Sequence, residues 1–343
     1  MSLPNCSSLP QYAAPTCWND DKSCVCLGVG CLGPCALCDQ CDCCTPDVPI
    51  PPTPKAELVA WKIIYDSLNG DEWTSCSGSD KDPCSCAGYV GCNTTTGQLV
   101  SVNLDSIGIN GVLRGEALHS LTALQSLSIA LDSGALSGTL PTQIGSLPEL
   151  RFFSITGSAA ISGTLPRQYG KLLSVGVLSV GQEDGDDYPA WPLSGTLPTE
   201  LATVGSLASQ TTPPTFLKVT LGTNRISGTL SPQMFRGWGQ SGLQNSFRLN
   251  GVPSDEGDLD WGSPISGSLP TQIGLLSLLG DFELQNQRCL SGTIPTQISR
   301  MQGMVGGLEL SALPKVSGSL PTEIGRMSSM QQWVIGGVAV SGE

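Results

Sequence analysis

Two stretches of the chain set several carboxylates in front of a tryptophan. Gln182–Trp191 reads Q-E-D-G-D-D-Y-P-A-W, and Val252–Trp261 reads V-P-S-D-E-G-D-L-D-W. The first offers Glu183, Asp184, Asp186 and Asp187 before Trp191; the second offers Asp255, Glu256, Asp258 and Asp260 before Trp261. Carboxylates at this density attract a basic partner or, with backbone carbonyls, hold Ca²⁺. The spacing is not that of an EF-hand loop. Solvated loops whose Trp covers the structure beneath are the simpler expectation, and the ten residues stand as candidate binding positions with no resident metal or cofactor implied.

The cysteines form a second chemical group. Ten of the 15 fall before residue 45: Cys6, Cys17, Cys24, Cys26, Cys31, Cys35, Cys38, Cys41, Cys43 and Cys44. Few large apolar residues accompany them, so cross-links rather than a core must hold segment 1–46. The C-x-C, C-x-x-C and C-C spacings also suit a thiolate cluster of Zn or Cu(I). No His lies nearby to complete such a site, and disulfides are the expectation. Four more, Cys76, Cys84, Cys86 and Cys92, sit close together, and Cys289 is isolated. Asn5-Cys6-Ser7 and Asn93-Thr94-Thr95 are acceptor triplets for N-glycosylation.

Enzyme chemistry finds little to use. His119 is the single histidine, in L-H-S-L-T-A-L, so no triad can draw on a second one. The chain has no G-x-S-x-G, P-loop, G-x-G-x-x-G or H-E-x-x-H. A net charge of −13 argues against nucleic acid or an anionic membrane surface as partner. There is no apolar run of 18 or more to span a membrane. The first residues, M-S-L-P-N-C-S-S, contain no apolar signal region, and a processed or partial chain is expected.

The elements that position these groups are repeats. L-S-G-T-L-P-T-Q-I-G-S-L at Leu136–Leu147 returns as I-S-G-T-L-P at Ile161, L-S-G-T-L-P at Leu193, I-S-G-T-L-S at Ile226, I-S-G-S-L-P at Ile265, L-S-G-T-I-P at Leu290 and V-S-G-S-L-P at Val316. A weaker copy begins at Ile109 and a cut-off one at Val340. Self-similarity at this period means a solenoid in which each coil buries its face on the next. Within a coil, Leu150, Phe153 and Ile155 alternate with Arg151, Phe152, Ser154 and Thr156, the pattern of a short strand. The Ser-Gly pair is expected to turn the chain, Leu-Pro to start the outer side, and I-G-x-L to close the coil with a helical or 3₁₀ turn. Both acidic insertions fall between strand and Ser-Gly, so they should project from one edge, two coils apart. A third insertion, near Ala208–Pro214, precedes its strand and belongs on the opposite edge.

Asp47–Lys55 is a Pro-rich linker (47–55), expected to be extended and semi-rigid. From Ala56 to Leu68, Leu58, Trp61, Ile64, Tyr65 and Leu68 recur at helical steps, and Asn69-Gly70 ends the helix. This helix and the following cysteines supply the cap a solenoid needs, at 56–98. Cys84 or Cys86 with Cys92, and Cys76 with the remaining one, is the economical pairing.

The order apolar helix, N-G-D-E-W, D-P-C-x-C-x-G-Y-V-G-C, G-Q-L-V-S-V-N-L, followed by L-S-G-x-L-P-x-x-I-G-x-L repeats, resembles plant-type leucine-rich-repeat proteins from about residue 56 to 343. It is similar to the ectodomains of receptor-like proteins and to polygalacturonase inhibitors. The resemblance implies an α/β fold: a right-handed leucine-rich-repeat solenoid with a parallel β-sheet on the concave face, a helical N-terminal cap, and a small disulfide-rich N-terminal segment. The repeats occupy 99–343, about nine with the last incomplete. Two departures stand out. The family's Asn two residues before the L-S-G Leu is kept only at Asn224; Gly134, Ala159, Trp191, Ser263, Arg288, Pro314 and Val338 replace it, so carbonyls along that edge need other donors. Cys86 stands where the family's cap has Trp.

On the strand face, Ser128, Ser154, Ser179, Thr220, Arg248, Glu283, Glu309 and Val334 are expected to be exposed, an ordinary docking surface without an aromatic cluster. A hydroxyl stripe follows the Ser-Gly pairs: Thr139, Thr164, Thr196, Thr229, Ser268, Thr293 and Ser319, with Thr142, Thr199, Thr271, Thr296 and Thr322 beside it. It could order water as in ice binding, carry glycans, or simply reflect the fitness of Thr for an extended edge. The functional expectation is a non-enzymatic extracellular or cell-surface scaffold for protein or glycan contacts, a subunit of an extracellular assembly. The competing expectation is a ligand-recognition ectodomain or cell-wall enzyme inhibitor. The chain stops partway through a coil, at V-S-G-E. Further chain, a copy of itself or another subunit is expected to cover that open coil.

Overall fold

Alternating apolar residues at one short strand per coil build a long parallel sheet. The computed structural model describes residues 16–17, 24–26 and 31–32 by their backbone, and residues 50–116, 118–181, 192–208, 218–241, 246–251 and 265–341. The early strands β1 (Thr16–Cys17), β2 (Cys24–Cys26) and β3 (Cys31–Leu32) pair antiparallel, with Cys17 opposite Cys24 and Cys26 opposite Cys31.

The cap helix α1 runs Lys55–Ser67, one residue earlier than the apolar stripe suggests. It buries Trp61, Ile64 and Tyr65; Trp61 and Tyr65 each meet Trp73 edge-to-face and meet each other at a tilt. Ile50 packs against this core, and Thr53 Oγ1 lies 3.3 Å from Cys84 Sγ. Ile50 and Thr53 of the Pro-rich stretch thus lie against the cap. A short strand, β4 (Val90–Cys92), pairs antiparallel with β5 (Leu99–Asn103) and starts the sheet.

From β5 the order along the long sheet is β7 (Ser126–Thr139), β8 (Phe152–Thr164), β9 (Val177–Val180), β11 (Lys218–Asn224), β13 (Ser246–Gly251), β15 (Asp281–Gln285), β17 (Gly307–Ser311) and β19 (Gln332–Gly336), all parallel. β6 (Asn110–Val112) pairs with β7, and β10 (Leu193–Ser194) with β8. A second parallel sheet runs through the Ser-Gly segments: β12 (Gly228–Thr229), β14 (Ile265–Ser268), β16 (Cys289–Gly292), β18 (Lys315–Ser319) and β20 (Ala339–Ser341). The apolar core fills the space these sheets and the closing turns enclose.

One expectation of the coil is corrected. The Ser-Gly pair lies in a strand or at its end rather than in a turn, and in β7 and β8 that strand is continuous with the long-sheet strand. Ladder hydrogen bonds to the next coil make extension the better use of these backbone groups. Glycine is still required: Gly195 has φ +81°, and a Cβ there would lie 2.6 Å from Thr164 Cγ2. The short closing turn holds at Thr142–Ser146, Arg167–Lys171, Thr199–Thr203, Thr271–Leu275, Thr296–Arg300 and Thr322–Arg326 as 3₁₀ helix. In one coil it becomes α2 (Pro232–Ser241). Here Ser231 replaces the usual Pro and accepts the Gln233 N–H at 3.3 Å, while Pro232 opens the helix. Met234, Phe235 and Trp238 then fall on one buried face.

Candidate functional site

The candidate binding residues Glu183, Asp184, Asp186, Asp187, Trp191, Asp255, Glu256, Asp258, Asp260 and Trp261 lie outside the described residues. What is described is their anchorage. One stretch leaves β9 and returns at β10; the other leaves β13 and returns at β14, and β11 separates β9 from β13 in the sheet. Cys6, Cys35, Cys38, Cys41, Cys43, Cys44 and Asn5 also lie outside, as do the side chains of Cys17, Cys24, Cys26 and Cys31.

In the cap, Cys76 is bonded to Cys86 and Cys84 to Cys92, with Cα separations of 5.1 and 5.8 Å. Of the pairings open to the sequence, the structure takes the one in which Cys84 reaches Cys92. The Cys86 sulfur, in the place of the family's Trp, is buried in the apolar core. Asn93 follows on the exposed β4–β5 turn, where its Oδ1 accepts the N–H groups of Thr95 at 2.8 Å and Thr96 at 3.0 Å. His119 is exposed in a single 3₁₀ turn, Leu118–Ser120.

The strand face is less open than its sequence suggests. Ser128 and Ser154 are 8% exposed, Ser179 1%, Thr220 2% and Glu283 7%; Arg248, Glu309 and Val334 are half-buried. Short side chains in a parallel ladder sit about 4.8 Å from the equivalent residue on either side, which leaves little room for water between them. Two acidic residues on this face are spent on neighbouring polar groups. Asp105 accepts the Ser128 hydroxyl at 3.0 Å and the Ala130 N–H at 2.7 Å. Glu283 accepts Asn250 Nδ2 at 2.7 Å and pairs with Arg248 Nε at 3.1 Å. Phe152, at 37% exposure, is the aromatic on this face that the alternation rule places outward.

The missing family asparagines are replaced from two directions. Asn224 keeps its role: its Oδ1 accepts Ile226 N–H at 2.8 Å, and its Nδ2 donates to the Leu221 and Gly222 carbonyls. In the next coil, where the sequence has Ser263, Gln287 reaches over from its neighbour. Its Oε1 accepts Ile265 N–H at 3.0 Å and its Nε2 donates to Leu249 O at 3.3 Å. In β7 and β8, ladder bonds between the coils do the same work. Gln287 belongs to the neighbouring coil and is not at the fixed offset where Asn224 stands, so the spacing of the motif does not point to it.

The serines of the Ser-Gly pairs have a role the sequence does not announce. Ser137, Ser162, Ser194, Ser227, Ser266 and Ser291 donate to the carbonyls of Gly111, Gly138, Gly163, Gly195, Gly228 and Gly267, at 3.3, 3.1, 3.2, 2.9, 3.0 and 3.0 Å. Each donor is one coil beyond its acceptor, so a column of hydroxyls ties coil to coil. One step outward, Thr139, Thr164, Thr196, Thr229, Ser268, Thr293 and Ser319 are all exposed, and Thr142, Thr199, Thr271, Thr296 and Thr322 form an exposed row beside them. A shallow groove of about 590 Å³ crosses this face between Thr139 and Thr196, with Arg167, Gln168 and Glu200 on its lining.

Burial pushes the Tyr169 hydroxyl well above the usual phenol range, while it donates to Pro141 O at 3.3 Å. Tyr65 is raised chiefly by burial and also by its bond to Asp71, against the opposing Gly78 N–H. Both serve packing.

No family model matches the chain, and no curated protein does. Solved structures do. A plant ice-binding protein is 17% identical, with 84% of this chain and 87% of that one covered at a TM-score of 0.54. The Arabidopsis receptor kinase HAESA, solved with the peptide hormone IDA and the co-receptor SERK1, is 18% identical over 83% of this chain at a TM-score of 0.45. This chain spans 54% of that one. The ectodomain of the Arabidopsis thaliana receptor kinase SOBIR1 is 17% identical, with 68% of this chain and 93% of that one covered, at 0.35. Identities at this level speak to fold alone. The chain has the plant-type leucine-rich-repeat fold, a solenoid of stacked parallel strands behind a helical, disulfide-bonded cap.

Proposed function

We propose that this chain is a non-enzymatic extracellular scaffold that presents its solenoid to other proteins or glycans, as a subunit of an extracellular assembly. One observation carries this reading: the division of roles within the coil. Apolar side chains and the serine column bind coil to coil, and the residues left facing solvent on the second sheet repeat at the coil spacing. The cap disulfides support an oxidising location. Sedimentation and native mass measurements on the secreted chain test the assembly. The expected result is a larger species of repeated subunits that dissociates on Thr196→Arg with Thr229→Arg. A monomer at every concentration sinks the assembly and leaves recognition of a separate ligand.

A second reading has its own support. The exposed threonine and serine rows form a regular lattice of hydroxyl and methyl groups, and the plant ice-binding protein shares the fold. On this reading the face orders water against ice. Thermal hysteresis and ice-recrystallisation assays decide it: activity should be present and should be lost in Thr196→Tyr, which places a ring on the lattice without touching the core. A chain with neither effect removes this reading.

A further inference from the structure

We propose that the side-chain amide of Asn93 carries an N-linked glycan; this rests on the extracellular reading. Asn93 opens the triplet Asn93-Thr94-Thr95, and every residue from Asn93 to Thr96 is exposed. The turn is held in one shape. Asn93 N–H donates to Gln98 O at 2.8 Å, Gly97 N–H returns to Asn93 O at 2.8 Å, and Asn93 Oδ1 takes the Thr95 and Thr96 N–H groups. The oxygen of the amide is thereby engaged, and no hydrogen bond from Nδ2 is seen among the described residues. The nitrogen that must react therefore sits on the outside of a defined turn, with the Thr95 hydroxyl two residues on.

Chemistry and compartment agree. Nδ2 forms a bond to the anomeric carbon of a lipid-diphosphate-linked oligosaccharide. The anomeric C–O bond to phosphate breaks, the lipid diphosphate leaves with the electron pair, and the amide gives up one proton. Such donors work in the lumen where disulfides form, and Asn93 directly follows Cys92, which is bonded to Cys84. Position gives the modification a physical consequence. β4 is the terminal strand of the long sheet, and the Asn93 turn joins it to β5. A glycan there stands beside an edge that would otherwise be a template for strand addition, and it leaves the second sheet, the proposed interaction face, uncovered.

The test is peptide mapping of the full chain secreted from eukaryotic cells, with and without an amidase that converts glycosylated asparagine to aspartate. The disulfides are mapped in the same sample. The expected result is a glycopeptide at Asn93 in the wild type, lost completely in Thr95→Ala and in Asn93→Gln, with both cap disulfides retained. Cap disulfides formed beside an unmodified Asn93 overturn the glycan while leaving the extracellular reading in place. Free cap thiols beside an unmodified Asn93 overturn both. A glycopeptide that persists in Thr95→Ala overturns the assignment of the triplet.

Discussion

At Glu57 a carboxylate sits 3% exposed in an apolar cap because donors meet it there: Gln98 Nε2 at 3.2 Å and Leu99 N–H at 2.7 Å. It joins the cap helix to the first parallel strand of the repeats. Glu57→Ala should cost about 1–3 kcal/mol by leaving a buried N–H unpaired, whereas Glu57→Gln, which keeps an acceptor, should cost less; denaturant unfolding of both variants checks this. Tyr169 makes a pH prediction. Burial raises its folded-state pKa above the unfolded value, so the folded protein keeps a proton that the unfolded chain releases. Its contribution is whole below pH about 10 and declines above, by up to about 1.4 kcal/mol per pH unit. Tyr169→Phe should flatten that alkaline decline in unfolding midpoints measured from pH 8 to 11; an unchanged slope would count against it.

At the scale of elements, α2 and the cap are where the coil pattern is broken and something else must hold. Trp238 is fully buried, donates to Leu201 O at 2.8 Å, and packs edge-to-face on Phe235 and at a tilt on Phe247. Trp238→Ala should cost about 3–5 kcal/mol, measured by thermal or denaturant unfolding. The cap disulfides close loops with separations of 10 and 8 residues. Their reduction should lower stability by about 2–4 kcal/mol each, with the loss appearing first as faster amide exchange in α1, β4 and β5. Exchange that rises uniformly along all coils would show that the cap does not open on its own.

At the scale of the whole molecule, charge decides what kind of association is possible. A net charge of −13 makes copies repel at long range. Homotypic assembly should therefore tighten as salt rises from about 0.01 to 0.15 M, where the screening length falls from about 30 to about 8 Å. Binding to a basic partner should weaken over the same range. Sedimentation velocity at the two salt concentrations separates these cases by the sign of the change.

The sequence by itself determined the architecture. A repeated L-S-G-x-L-P-x-x-I-G fixes which side chains enter the coil, because period and apolarity act locally and identically in each turn. It also made two of the three pairings of the cap cysteines the economical ones, without choosing between them. Tertiary structure decided what depends on the adjacent coil. The serine column needs each hydroxyl set against the glycine carbonyl one turn earlier, and Gln287 fills a place two strands of another coil leave open. The covering of Thr220 and Ser179 likewise depends on neighbours rather than on their own polarity. Alternation states which way a side chain points from its strand; how much water it keeps is set by the strands stacked on either side.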